Sequence, residues 1–167
     1  MSMSWPAARW KPILVAASAA LLVATLGGLM TDLGPWYTSL VQPRWKPPDR
    51  AFGPVWTTIF SLTAAAGVIG WQAAPSRSDR LQLLALFALN AVLNLGWSLL
   101  YFRLHRPDWA LIEVPFLWLS VLALLLVLAP RSKTAAGLLL PYLVWVGIAA
   151  FLNLQTVQLN GPFGAAG

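Results

Sequence analysis

Five stretches of about twenty residues carry almost no charge, and they constrain this chain more than any other feature. Residues 12–31, 51–74, 81–102 and 134–159 contain no Asp, Glu, Lys or Arg, and residues 109–129 contain only Glu113. All eleven Lys and Arg, and four of the five acids, lie between or outside these runs. A helix needs roughly 20 apolar residues to cross a hydrocarbon core. Strands span a membrane only as a closed barrel, and these runs lack the period-two alternation that a barrel requires. The chain therefore predicts an all-α integral membrane protein. It reads as one domain, residues 1–167, with five transmembrane helices at about 12–31, 51–74, 81–102, 109–129 and 134–159. A long ordered loop, 32–50, follows the first helix. The 10% charged content agrees, against about a quarter in soluble domains. The net charge of +6 does not indicate nucleic acid, because the basic residues form no stripe and sit only between the runs.

The opening "MSMSWPAARWKPILVAASAALLVA" has the basic lead, apolar run and Ala-x-Ala spacing of a secretory leader. The run stays uncharged as far as Met30, longer than a typical leader core, which favours a retained first helix. Five spans put the termini on opposite sides. One side then carries Arg9, Lys11, Arg77, Arg80, Arg131 and Lys133, and the other carries Arg44, Lys46, Arg50, Arg103 and Arg106. A difference of one does not set an orientation.

Three connectors are short: "APSRSDR" (74–80), "RLHRPD" (103–108) and "PRSKT" (130–134). Short loops join antiparallel neighbours, so helices two to five are expected to form a compact up-down bundle. The connector "PWYTSLVQPRWKPP" differs in length and in kind. Its prolines reduce the entropy lost on ordering, and its tryptophans supply area to bury. It reads as a rigid lid packed back onto one mouth of the bundle.

The chain has no cysteine and one histidine, His105, so a metal site or a nucleophile–base pair has no usual material. Function must rest on aromatic, amide and small residues. In the third run Asn90, Asn94, Trp97 and Tyr101 share one helical face. Amides in hydrocarbon face protein or a cavity, and both readings stand: interhelical hydrogen bonds, or a cavity lining. In the fifth run Trp145, Ala149 and Leu152 share a face, either for helix packing or for the close approach of a flat ligand. In the fourth, Trp109, Ile112 and Phe116 form a face with Glu113 alongside. Glu113 is a functional candidate by position in the membrane, or a first-turn acid favoured by the helix dipole. The second run adds Trp56, Phe60, Thr63 and Gly67 at helical spacing. Of ten tryptophans, Trp10, Trp71 and Trp109 sit at run ends as an interfacial belt does, whereas Trp118 and Trp145 lie near mid-run. Inward aromatics beneath a Trp-rich lid would suit a planar apolar ligand.

The segments "WYTSLVQPRWKPP", "GPVW", "NLGW", "DWALIE" and "PYLVWVGIAAFLN", in that order over roughly residues 20–155, resemble the translocator protein family. These are the tryptophan-rich sensory proteins of bacteria and the mitochondrial benzodiazepine-receptor proteins. The resemblance implies a five-helix bundle, often a homodimer, in the cell membrane of a bacterium. It implies a receptor or sensor whose first loop, with Trp45, closes a pocket for porphyrin or heme and for similar planar hydrophobic ligands. No obligatory cofactor or metal is implied. By motif, Trp145, Ala149 and Leu152 of the fifth helix and Trp109, Ile112 and Phe116 of the fourth take pocket positions. Asn94 and its neighbour Trp97 join Phe60 as further lining residues. Trp56 and Trp145 match two tryptophans linked to light-dependent porphyrin breakdown, which makes them the candidate catalytic residues of an enzymatic alternative. A transporter of the same ligands is a further alternative. The family's sterol-recognition segment requires a Tyr and then a basic residue after the fifth-helix Asn. Here "NLQTVQLN" has neither, so a sterol partner is not expected.

Overall fold

The computed structural model describes residues 7–164, with side chains from Trp10 onward. The basic lead of the opening segment, including the Arg9 side chain, lies outside the described residues. Seven α-helices follow one another: α1 (Ala7–Met30), α2 (Pro35–Ser39), α3 (Asp49–Ala73), α4 (Arg77–Ser98), α5 (Pro107–Leu128), α6 (Lys133–Leu138) and α7 (Leu140–Asn160). A π-helical turn, Leu99–Arg103, extends α4. Five segments are long and apolar enough to cross a membrane, the last of them α6 and α7 together over Lys133–Asn160.

Local chemistry sets the helix ends. Ser76 begins α4 by accepting a hydrogen bond from the Asp79 N–H at 3.1 Å, and Ser132 does the same for α6 through the Ala135 N–H at 3.2 Å. Each hydroxyl satisfies one amide that the first helical turn leaves without a partner. Pro107 and Pro35 occupy first-turn positions of α5 and α2, where the missing N–H costs nothing. The fifth span is interrupted at Leu139, two residues before Pro141. Pro141 has no N–H to donate one turn back, so the uncharged run 134–159 folds as two helices rather than one.

α1 packs against α3 and α4, α4 against α5, α5 against α7, and α3 against α6. Despite their short connector α3 and α4 touch each other little, and α1 packs against both. The core is layered along the bundle. Ala66, Leu83, Leu124, Leu128 and Leu139 fill the end remote from the lid. Ile59, Val114, Leu117, Val121, Tyr142 and Val146 fill the middle. Tyr37, Tyr101 and Ala110 fill the lid end. α1 buries none of its described side chains fully. One close approach requires glycine: a Cβ on Gly70 would lie 2.4 Å from Leu128 Cδ2, and Leu128 is completely buried.

Residues 32–50 are ordered by contacts at both ends of the segment. Trp36 stacks on His105 at 4.1 Å between centroids, with His105 held at φ 53°. The Tyr37 hydroxyl donates to Asp49 Oδ1 at 2.8 Å, and Lys46 Nζ donates to the same oxygen at 2.5 Å. Burial, and then the hydrogen bond to Asp49, push the ionisation of the Tyr37 hydroxyl upward. Asn160 exchanges two hydrogen bonds with the Val41 backbone: Val41 N–H donates to Oδ1 at 2.7 Å, and Nδ2 donates to Val41 O at 2.9 Å. Trp45 stacks on Phe151 at 5.4 Å and its Nε1–H donates to Gln155 Oε1 at 2.5 Å. The connector is thus a lid fastened to the α4–α5 turn on one side and to the last turns of α7 on the other.

Candidate functional site

The arrangement of α1, α3 and α4 leaves a cavity of about 620 Å³. Its α1 wall includes Ala16, Ala19 and Ala20, whose short side chains leave room, flanked by Pro12, Val15 and Val23. Phe60, Thr63, Gly67 and Trp71 line it from α3, and Leu83, Phe87, Asn90 and Asn94 line it from α4. Tyr142 of α7 closes the inner end. The volume falls within the roughly 300–1,000 Å³ of small-molecule sites, and such sites are mostly apolar with a few placed polar groups.

Those polar groups form one network. Tyr142 OH donates to Asn90 Oδ1 at 3.2 Å and accepts from Asn94 Nδ2 at 3.1 Å. Asn90 Nδ2 donates to Ser120 Oγ at 2.8 Å, and Ser120 Oγ donates to Leu117 O at 2.7 Å. Four side chains from three spans are therefore tied together across the bundle at mid-depth. Both readings of the amides are realised in the same residues: Asn90 and Asn94 bond across helices and also line the cavity. Thr63 lines the cavity, but its Oγ1 is buried and has no hydrogen-bond partner among the described residues. A buried hydroxyl without a partner is costly, so Thr63 carries an unpaired polar atom behind the cavity wall.

The sequence candidates do not all converge here. Phe60 and Asn94 line the cavity. Trp56 lies one ring behind its wall, stacked on Phe60 at 5.3 Å and edge-on to Tyr142 at 6.0 Å. Trp145 packs against the middle core with its ring 5.5 Å from Phe52, edge to face, and its indole N–H is buried without a partner among the described residues. Trp97 belongs to the lid end, stacked on Tyr101 at 5.0 Å. Trp45 is held in the lid's contact with α7. Ala149 and Leu152 are partly buried on α7, outside the cavity lining. Trp109, Ile112 and Phe116 occupy an exposed face of α5, at 47%, 69% and 59% exposure, with the Arg106 guanidinium over the Trp109 ring at 4.1 Å. No lid residue lines the cavity, because its walls run from Asn94 and Tyr142 toward Lys11 and Trp71, away from the lid.

Several residues of this region escape sequence reasoning. Tyr142 and Ser120 complete the amide network, yet a lone Tyr and a lone Ser in apolar runs give no signal of partners on other helices. Asn153 is buried, and its amide is placed to donate to Pro107 O at 3.0 Å and accept from Leu111 N at 3.1 Å, which joins α7 to the start of α5. Trp71 reads as an interfacial tryptophan by its place at a run end, but it lines the cavity. Glu113 keeps both carboxylate oxygens buried with no partner among the described residues.

The sequence profile of the TspO/MBR family matches residues 15–159. The "Tryptophan-rich protein TspO" of Chlorobaculum tepidum is 41% identical over 129 residues, which cover 75% of this chain and 79% of that protein. The "Tryptophan-rich sensory protein" of Cereibacter sphaeroides is 32% identical over 151 residues, covering 90% and 92%. The "Translocator protein" of Sus scrofa is 32% identical over 139 residues, covering 79% and 82%.

Proposed function

The chain belongs to the TspO/MBR family of membrane proteins, and from that membership and its cavity we propose that it is a receptor or sensor for porphyrins and similar planar hydrophobic ligands, which it binds inside the bundle. The observation that carries this reading is the apolar cavity between α1, α3 and α4, with aromatic rings on its walls and a fixed polar network at its inner end. A flat apolar molecule exchanges water or lipid for Phe60, Phe87 and Trp71, while Asn94 at the inner end orients it. Buried aromatic contact area drives such binding, and a cavity that pre-exists needs little ordering on binding.

Titration of the purified protein with protoporphyrin IX and with heme, followed by tryptophan quenching, tests the reading. Saturable one-site binding that Ala20→Trp abolishes is the expected result. Absence of binding by the folded wild-type protein would refute it. A second reading, light-dependent porphyrin breakdown, is favoured by the contact of Trp56 with the cavity-lining Phe60. It requires that porphyrin absorbance decay under illumination and that Trp56→Phe slow the decay without weakening binding.

A further inference from the structure

The two ends of the cavity differ in charge, and the difference points to how a ligand is held. Lys11 lines the cavity at its outer end, together with Trp71. Lys11 lies about 28 Å along α1 from the lid-side terminus at Met30, at roughly 1.5 Å per residue. The Arg80 guanidinium sits over the Trp71 ring, 5.2 Å from its centroid. Neither Lys11 nor Arg80 is in an ion pair among the described residues. Of the connectors on this side, the one acid is Asp79, and it is already engaged by Arg131 and by Ser76. The outer end therefore carries one lining cation, Lys11, with a second unpaired cation, Arg80, beside it over Trp71, and the inner end presents neutral hydrogen-bonding groups.

We propose that this mouth, on the face opposite the lid, is an anion subsite. The ligand lies with its apolar plane between α1 and the α3–α4 wall and its carboxylates at Lys11 and Arg80. It exchanges through this mouth rather than beneath the lid. The inference rests on the tetrapyrrole reading above and adds the ligand's required charge, its orientation and its route. Cations at a membrane surface suit it, because the long side chains keep their charged ends in the polar layer while their stems cover apolar surface.

The test compares protoporphyrin IX, a dicarboxylate, with its dimethyl ester, which has the same ring and no charge. Each is titrated against wild type, Lys11→Gln, Arg80→Gln and the double variant. A partly solvated ion pair is worth up to about fivefold in affinity. Each single variant should therefore weaken the diacid by up to about fivefold, the double variant should weaken it further, and none should change ester binding. Added salt should weaken the diacid and leave the ester unaffected, as screening requires. If wild type binds the ring in both forms equally, or if the Gln variants leave the diacid unchanged, the anion subsite is refuted while ring binding stands. If wild type binds neither form, the tetrapyrrole reading itself fails. Circular dichroism of the variants separates a lost site from a lost fold.

Discussion

Replacing Thr63 by Val should make the protein more stable and leave ligand affinity nearly unchanged. Thr63 sits on α3 at the cavity wall, with Oγ1 buried and no partner among the described residues. Valine has nearly the same shape, so packing against α1 and α4 is retained and one unpaired hydroxyl is removed. Protein substitutions price an unpaired buried hydroxyl at about 1–3 kcal/mol. Taking the lower end of that range, the expected gain is about 1 kcal/mol, equivalent to a rise of roughly 2–4 °C in midpoint for a chain of this size. Thermal unfolding in detergent by circular dichroism measures it. Because Oγ1 is closed off from the cavity, ligand affinity should stay within about twofold of wild type. Stability should therefore rise while affinity stays level. A Thr63→Val protein that unfolds earlier than wild type would show that the hydroxyl has a structural partner, and the argument from its isolation would fail.

Other substitutions test the surrounding structure. Tyr142→Phe removes the hydroxyl that joins Asn90 to Asn94; leaving both amides short of a partner should destabilise the protein by about 1–3 kcal/mol, read as a lower midpoint. Gly70→Ala places a methyl against the buried Leu128 and should cost about 1–3 kcal/mol by overpacking, whereas Gly96→Ala, where a Cβ meets nothing within 4 Å, should not. Asn160→Ala breaks both bonds to Val41 and should speed proteolysis within residues 40–50 while leaving helix content unchanged. Pro47→Gly with Pro48→Gly loosens the same lid by about 1–2 kcal/mol, yet the stopped-flow off-rate of protoporphyrin should stay within about twofold of wild type, because no lid residue lines the cavity.

The spans were legible because charge is expensive in hydrocarbon: the uncharged runs and the helices agree to within a few residues at most ends. The disagreements have physical causes. Helices α4 and α6 begin at capping serines in the connectors, Ser76 and Ser132, which hydropathy does not register. Pro141 divides the fifth span, and the π-turn at Leu99–Arg103 depends on packing with Tyr37 and Ala110 that no local pattern encodes. The lid's order was visible in its prolines and tryptophans, but its partners Gln155 and Asn160 lie more than a hundred residues away. Helical spacing put Phe60 and Asn94 on inward faces, and they do line the cavity. The same reasoning could not locate the cavity itself. It arises because α1 packs with alanines between two helices, and the pairing of α1 with both α3 and α4 is a tertiary fact.

Determining the structure of the complex with protoporphyrin IX tests the account most directly. The ring should lie between α1, α3 and α4, within contact of Phe60 and Asn94 and with its carboxylates toward Lys11 and Arg80. A ring bound instead beneath the lid, against Trp145 and Ala149 with the α1 cavity empty, would contradict it.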